Sequence, residues 1–482
     1  MHLLFTLCRR LLAGVVLGAW LAAAGGAPRA LPAEVEAALD RAKVPRDALV
    51  AVVQEVGAAK PRLSWQPQRP VNPASLMKLL TTYAALDQLG PAWTWATPVW
   101  LQGTVHDGVL DGSLVIKGSG DPKLVLERVW LMLRRVQQMG VREIRGDIVL
   151  DRSAFDAVEQ SPGDFDGEAL RPHNVQADAL LLNYRSLVIT FTPDPSRGAA
   201  VVALEPSLAG VRADTTVPLS AAPCDDWRGA LKAELADPAR LHFAGAYPQA
   251  CGERQWPLAY ADPKSYNERM LLGLWREMGG TITGAVRDGT APVAPPSFVL
   301  TSPPLAEVVR DINKYSNNAM AQQLFLTLGS LQRGAGTPAA AREALRQWLG
   351  TRVDEEAAAS AVIDNGSGLS RDGRVSAGLL AQLLQAAWAS SVMPELVSSL
   401  PVIGVDGTMQ RTRTMLGRAH LKSGSLRDVT GIAGYVLSAS GKRYVLVGII
   451  NHPSANAARP ALEALVQWTV GDARLQPRPA AD

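Results

Sequence analysis

Two lysines and four serines carry the chemistry this sequence offers. Ser75-Leu76-Met77-Lys78 is the only SxxK in the chain, and Lys422-Ser423-Gly424-Ser425 is the only K[ST]G. On a helix, SxxK spacing sets Ser75 and Lys78 one turn apart on one face, so the amine can take the hydroxyl proton. Arginine cannot replace it there, because a guanidinium keeps its proton where a desolvated ammonium gives it up. The sequence has ten lysines among 48 basic residues. In so arginine-rich a chain, both motif lysines fall where proton transfer needs lysine. Ser75 is expected near a helix start, where unpaired N–H groups and the helix dipole favour negative charge at its oxygen.

A third element is Ser316-Asn317-Asn318, opening a helix. SxN recurs at Ser265-Tyr266-Asn267 and Ser454-Ala455-Asn456, and 316–318 is preferred because Ile312-Asn313-Lys314-Tyr315 precedes it. Lys422 to Ser425 read as a strand whose glycine admits a substrate backbone and whose edge can pair with an extended peptide. Taken singly, each motif also fits an ordinary capped helix or strand end. Other chemistries lack their signatures: the six histidines form no HExxH or HxH, and no GxSxG, GxxxxGK[ST] or GxGxxG occurs. Zinc peptidase, α/β-hydrolase and nucleotide-binding readings therefore have no support.

The elements that must position these residues form an interrupted pattern. A buried strand is expected at 48–55 and a helix at 72–89, with Asn72 as its cap and Pro73 in its first turn. From about 97 the texture changes to short β-branched runs with Gly/Asp turns, at 110–117, 144–150, 186–192 and 199–204. A helix is expected at 267–278 and a proline-rich re-entry linker at 291–297. Helices return at 305–328, 338–349 and 376–389. Strands at 420–423, 431–437 and 444–451 and a closing helix at 458–470 finish the chain. The expected architecture is one α/β (α+β) domain in two parts, 28–96 and 299–482, split by a mainly β insert at 97–298 that has room for two nested subdomains.

Arg9, Arg10 and the 14 apolar residues 11–24, followed by small residues, read as a signal peptide over 1–27. Export to the periplasm is expected, and no integral membrane span after its removal, since no other stretch has the length of about 20 residues that a span needs. In that compartment Cys224 and Cys251 are expected to pair. A net charge of +3 with 48 basic and 45 acidic residues lacks the basic stripe that a nucleic-acid partner requires.

SxxK, SxN and K[ST]G in this order, on helix, helix start and strand, resemble the penicillin-binding proteins and serine β-lactamases. The long interval between Ser75 and Ser316 is similar to the class C low-molecular-mass branch, the penicillin-binding protein 4 type. Further stretches match that branch: Lys117-Gly118-Ser119-Gly120-Asp121-Pro122, the GDxxxDxSxF segment from Gly146 to Phe155, the INxxSNNxxAxxL helix from Ile312 to Leu324, and the DGSGLSR loop as Asp364-Asn365-Gly366-Ser367-Gly368-Leu369-Ser370-Arg371. The resemblance implies a serine D,D-peptidase that cleaves D-Ala-D-Ala ends or D-Ala-diaminopimelate cross-links of peptidoglycan and is acylated by penicillin. It implies Ser75 as nucleophile, Lys78 as base, Ser316 and Asn318 as proton relay and positioner, and Lys422, Ser423, Gly424 and Ser425 around the substrate's terminal carboxylate and oxyanion. Asp151, Phe155 and Arg371 are implied to hold the stem peptide. Stem peptides are the implied partners and β-lactams the implied inhibitors, with no metal or organic cofactor.

Serine replaces threonine at 423 and 425, Asn365 varies the loop, and Arg427 stands where family members often carry a neutral polar residue. A β-lactamase shares the Ser/Lys core, but no ExxLN segment is present to hold its hydrolytic water. A catalytically silent wall-binding protein of the same ancestry is the other alternative.

Overall fold

The computed structural model describes residues 30–156, 161–334 and 336–472. The expected signal peptide at 1–27 lies outside them.

The sheet that carries the K[ST]G motif is built from both ends of the chain. Its five antiparallel strands run in the order Ala419–Leu426, Val429–Leu437, Arg443–Asn451, Leu49–Glu55 and Leu63–Trp65. Leu49–Glu55 pairs with Arg443–Asn451 over its whole length, from Leu49 opposite Ile450 to Glu55 opposite Tyr444. Its first five residues are all buried because both sheet faces are covered, so the polar half of the usual strand alternation is missing. Val50 and Val52 join the core under the large helical layer. Leu49, Ala51 and Val53 join the other core, with Val35 and Leu39 of the helix Ala33–Arg41 and Leu462 and Leu465 of the helix Arg459–Val470.

The helical layer contains Lys78–Leu89, Leu305–Tyr315, Asn318–Arg333, Pro338–Leu349 and Ala377–Trp388. Two expectations need correcting here. The continuous helix expected at 305–328 is broken at Ser316, whose φ of 57° is left-handed. The expected helix at 72–89 begins instead with a 3-10 turn, Ala74–Met77, and becomes α-helical at Lys78. Both departures fall on candidate catalytic serines.

Between the two parts stand three further sheets. The largest includes the hairpin Ala96–His106 and Val109–Lys117 with Ile148–Asp151, and its strand Phe298–Thr301 pairs antiparallel with Ala96–His106. The chain thus leaves and returns on neighbouring strands, and the last strand of this sheet lies beyond the proline-rich stretch. The helix Leu126–Gln138, which sequence texture did not reveal, and the helix Tyr266–Glu277 share one core with this sheet and a five-stranded neighbour. The Lys117-to-Pro122 turn joins this region to the helical layer. A Cβ on Gly118 would meet the Ala179 carbonyl at 2.2 Å, and one on Gly120 (φ +84°) the Phe155 ring at 2.2 Å.

Cys224 and Cys251 form a disulfide, 27 residues apart in sequence. Closing a loop of that length stabilises the fold by about 3–4 kcal/mol on chain-entropy grounds. The double variant Cys224→Ser/Cys251→Ser is therefore expected to unfold at lower denaturant concentration by that amount. Its β-lactam acylation rate, measured under native conditions, is expected to stay at the wild-type level, since both cysteines sit in a core separate from the helical layer.

Candidate active site

The 3-10 turn is what aligns the SxxK pair. With three residues per turn, side chains at i and i+3 eclipse one another, and Lys78 Nζ lies 3.0 Å from Ser75 Oγ. Asn72 fixes the turn: its Oδ1 accepts from the Ala74 N–H (2.9 Å), its Nδ2 donates to the Ser370 carbonyl (2.9 Å), and its own N–H donates to Asn451 Oδ1 (2.8 Å). Ala74 takes a left-handed φ of 47° in consequence.

Lys78 is fully buried. Besides Ser75 its Nζ reaches Asn318 Oδ1 and the Ser367 carbonyl, both at 2.6 Å. Burial, reinforced by the positive charge of Lys422, pushes its pKa well below the ordinary lysine value. A neutral amine has two hydrogens and one lone pair. Its two carbonyl neighbours can only accept, so they take the hydrogens and leave the lone pair facing Ser75 Oγ.

The break between helices brings the SxN residues in. Ser316 caps the C-terminus of Leu305–Tyr315, and Asn317 caps Asn318–Arg333 by accepting from the Met320 N–H. A left-handed serine costs of order 1–3 kcal/mol, and here it lets Ser316 and Asn318 serve two different lysines. Asn318 Nδ2 donates to the His173 carbonyl at 3.1 Å, which fixes the amide with its oxygen toward Lys78. Lys422, also fully buried, donates to Ser316 Oγ (2.9 Å) and the Ser423 carbonyl (2.7 Å). Burial lowers its pKa to about 7.

The K[ST]G strand, Ala419–Leu426, is the edge of its sheet. Gly424 is where it passes the nucleophile turn: an added Cβ would meet the Pro73 carbonyl at 2.7 Å and Ala74 Cβ at 3.3 Å. Ser423 Oγ hydrogen-bonds Thr408 Oγ1 (2.6 Å), and Ser425 Oγ donates to Asn456 Oδ1 (3.2 Å). Lys78 thus joins Ser75 to Asn318, Lys422 joins Ser316 to the Ser423 backbone, and the charge of Lys422 acts on Lys78.

The three stem-peptide candidates fare differently. Arg371 lies at the end of this strand: its guanidinium sits 4.6 Å from the Phe165 ring centre and pairs with Asp428 at 3.3 Å. Asp151 has no side-chain exposure, and its oxygens accept from the Ser153 and Ala291 N–H groups at 2.9 and 2.8 Å. Burial raises its pKa, but those hydrogen bonds and Lys117 outweigh it and hold the carboxyl below its usual value. Phe155 packs its ring on Gly120 and pairs its backbone with Gly336. Among the described residues, neither touches the Ser/Lys cluster.

Several residues of the site escaped sequence reading. Ser367 contributes a carbonyl, which leaves no sequence signature. The Asn-Gly-Ser-Gly composition did announce its turn, in which Gly366 and Gly368 have φ of 69° and 78°. Thr408 is set by the Lys314–Asp406 ion pair of 2.6 Å. Asn456, from an SxN passed over above, meets Ser425 through tertiary structure alone. Among the described residues no group of three or more His, Cys, Asp or Glu is placed to hold a metal, and no helix is long and apolar enough to cross a membrane.

Comparison with known proteins agrees with this geometry. The chain is 23% identical over 399 residues to D-alanyl-D-alanine carboxypeptidase DacB of Haemophilus influenzae, covering 78% of this chain and 80% of that one. It is 27% identical over 421 residues to the D-alanyl-D-alanine carboxypeptidase of an Actinomadura species, covering 81% and 75%. Penicillin binding protein 4 of Haemophilus influenzae superposes with a TM-score of 0.70 at 20% identity, over 90% of this chain and 99% of that one. Residues 31–471 match the family model as a whole, and the chain belongs to the D-Ala-D-Ala carboxypeptidase 3 (S13) family of serine peptidases.

Proposed function

We propose that the protein cleaves the bond after a D-alanine of peptidoglycan stem peptides, at free D-Ala-D-Ala ends and at D-Ala-diaminopimelate cross-links, through an acyl-enzyme on Ser75. The observation that carries this reading is the fully buried Lys78 amine, 3.0 Å from Ser75 Oγ, with its other two neighbours acceptors only. Lys78 takes the hydroxyl proton as the oxygen attacks. Ser316, between the cleft and Lys422, passes a proton to the leaving amine, and Asn318 holds Lys78 in register. Charged Lys422, with the Ser423 and Ser425 hydroxyls, receives the carboxylate of the leaving residue. The Ser75 and Ser425 N–H groups stabilise the oxyanion, each contributing about 2.7–4 kcal/mol.

Gly424 keeps the edge strand close enough for the peptide to add as a further strand. Arg371 lies where the stem peptide leaves that strand. We assign Asp151 to the scaffold, on the grounds of burial and committed partners, whereas Phe155, packed on Gly120, also lines a cavity of the insert. The basic-then-apolar pattern of 1–27 supports a periplasmic location.

Intact-mass measurement after penicillin tests the nucleophile. The mature wild type is expected to carry a persistent penicilloyl adduct that Ser75→Ala lacks. An adduct lost rapidly with destruction of the drug would mark a β-lactamase, and no adduct at any time would leave a silent wall-binding protein.

The acylation rate also has a predictable pH dependence. It needs Lys78 neutral, so it rises with pH as that depressed amine deprotonates. Carboxylate binding needs Lys422 charged, so the rate falls again through about pH 7. A profile that is flat between about pH 5 and 9 would exclude this division of labour.

A further inference from the structure

Beyond the Ser/Lys cluster a cavity of about 820 Å³ opens within the insert, lined by residues between Arg152 and Asp288. Its wall is an ion network: Asp178 accepts from Arg152 (3.0 Å) and Arg185, and Arg152 also pairs with Asp288. Its rim is the segment holding Tyr260, Asp262 and Lys264, just past the strand Arg254–Ala259.

Two features distinguish this wall from a set of surface ion pairs. Arg185 is only 9% exposed, yet its Nε has no acceptor, and an unsatisfied buried donor costs about 1–3 kcal/mol. Asn183, Tyr184 and Arg185 are also three successive left-handed residues, with φ of 42°, 53° and 45°, each costing of order 1–3 kcal/mol. Both features meet at Arg185, which lines the cavity. At the rim Lys264 has no ion-pair partner among the described residues, and Asp262 Oδ1 accepts only a local hydrogen bond from the Lys264 N–H, at 3.2 Å. The cavity therefore offers charge of both signs, which suits a peptide with free carboxylate and amine groups and has no use for a neutral sugar chain.

The cavity is linked to the Ser/Lys cluster by shared residues and hydrogen bonds. Its Ser161, Pro162 and Gln176 line a second recess as well, shared with Asn365 and Leu369 of the loop whose Ser367 carbonyl meets Lys78. Asp178 is bonded through its backbone N–H and C=O to the Gln323 amide, at 2.9 and 2.8 Å. Gln323 stands five residues past Asn318 on one helix, about 7.5 Å along its axis. Three extended peptide residues span about 10 Å.

We propose that this cavity binds the second stem peptide of a cross-linked pair while the first occupies the cleft at Ser75. The proposal rests on the D,D-peptidase reading and adds to it a site that favours cross-linked over monomeric substrate. Lys264 and the Arg185 wall take the carboxylates of that peptide, and Asp262 takes its amine.

The rim variant Asp262→Lys/Lys264→Glu tests it without disturbing the buried network. Three quantities are compared with wild type: cleavage of a cross-linked dimeric muropeptide, D-alanine release from a monomeric pentapeptide, and the rate of penicillin acylation. The variant is expected to lose about tenfold in kcat/KM on the dimer alone. Unchanged dimer cleavage, or an equal fall in all three, would overturn the second site. Calorimetry on the penicillin-acylated enzyme, whose cleft is occupied, supplies a separate readout. A stem tetrapeptide is expected to bind acylated wild type and to bind the acylated rim variant about tenfold more weakly. No binding to acylated wild type, or equal binding by both, would also overturn it. Failure of the D,D-peptidase reading is distinguishable, because wild type itself would then neither be acylated nor release D-alanine.

Discussion

Lowering the pKa of an amine inside a protein takes a dry site, and acceptors then fix its hydrogens; much of this fold surrounds Lys78 in that way. Three distant segments supply its neighbours: the 3-10 turn with Ser75, the start of Asn318–Arg333, and the loop at Ser367. The edge strand adds a second buried lysine, whose charge lowers the pKa of the first further. Opening the site to water would raise that pKa back toward the ordinary lysine value.

That constraint explains local features that would otherwise be defects. The left-handed Ser316 interrupts what would be one long helix, and the left-handed Ala74 opens the 3-10 turn. Both are unfavourable in isolation, and both set a candidate catalytic serine beside a buried lysine. Gly368 belongs to the same set: with φ of 78°, its absent Cβ would fall 1.8 Å from the Ala74 carbonyl. The Ser367 loop and the nucleophile turn can approach this closely only through glycine.

The insert extends the same logic outward. Its first and last strands pair side by side, so an added domain leaves the catalytic layers undisturbed. Through Asp178 and Gln323 it is nonetheless bonded to the helix that begins at Asn318.

The Ser/Lys core was legible in the sequence because chemistry restricts residue type there. Proton transfer requires lysine where this chain otherwise prefers arginine, and helical spacing ties Ser75 to Lys78. The strands 49–55 and 443–451 were legible too, because burial on both faces demands uninterrupted apolar runs. Motif likeness did not reveal that the Asp151 carboxylate is enclosed or that the Phe155 ring packs on Gly120. Only tertiary structure decided that the Ser367 carbonyl faces Lys78, that Asn456 meets Ser425, and that Arg185 lines a cavity. Backbone carbonyls carry no sequence identity, and contacts between segments hundreds of residues apart depend on packing that no local pattern encodes.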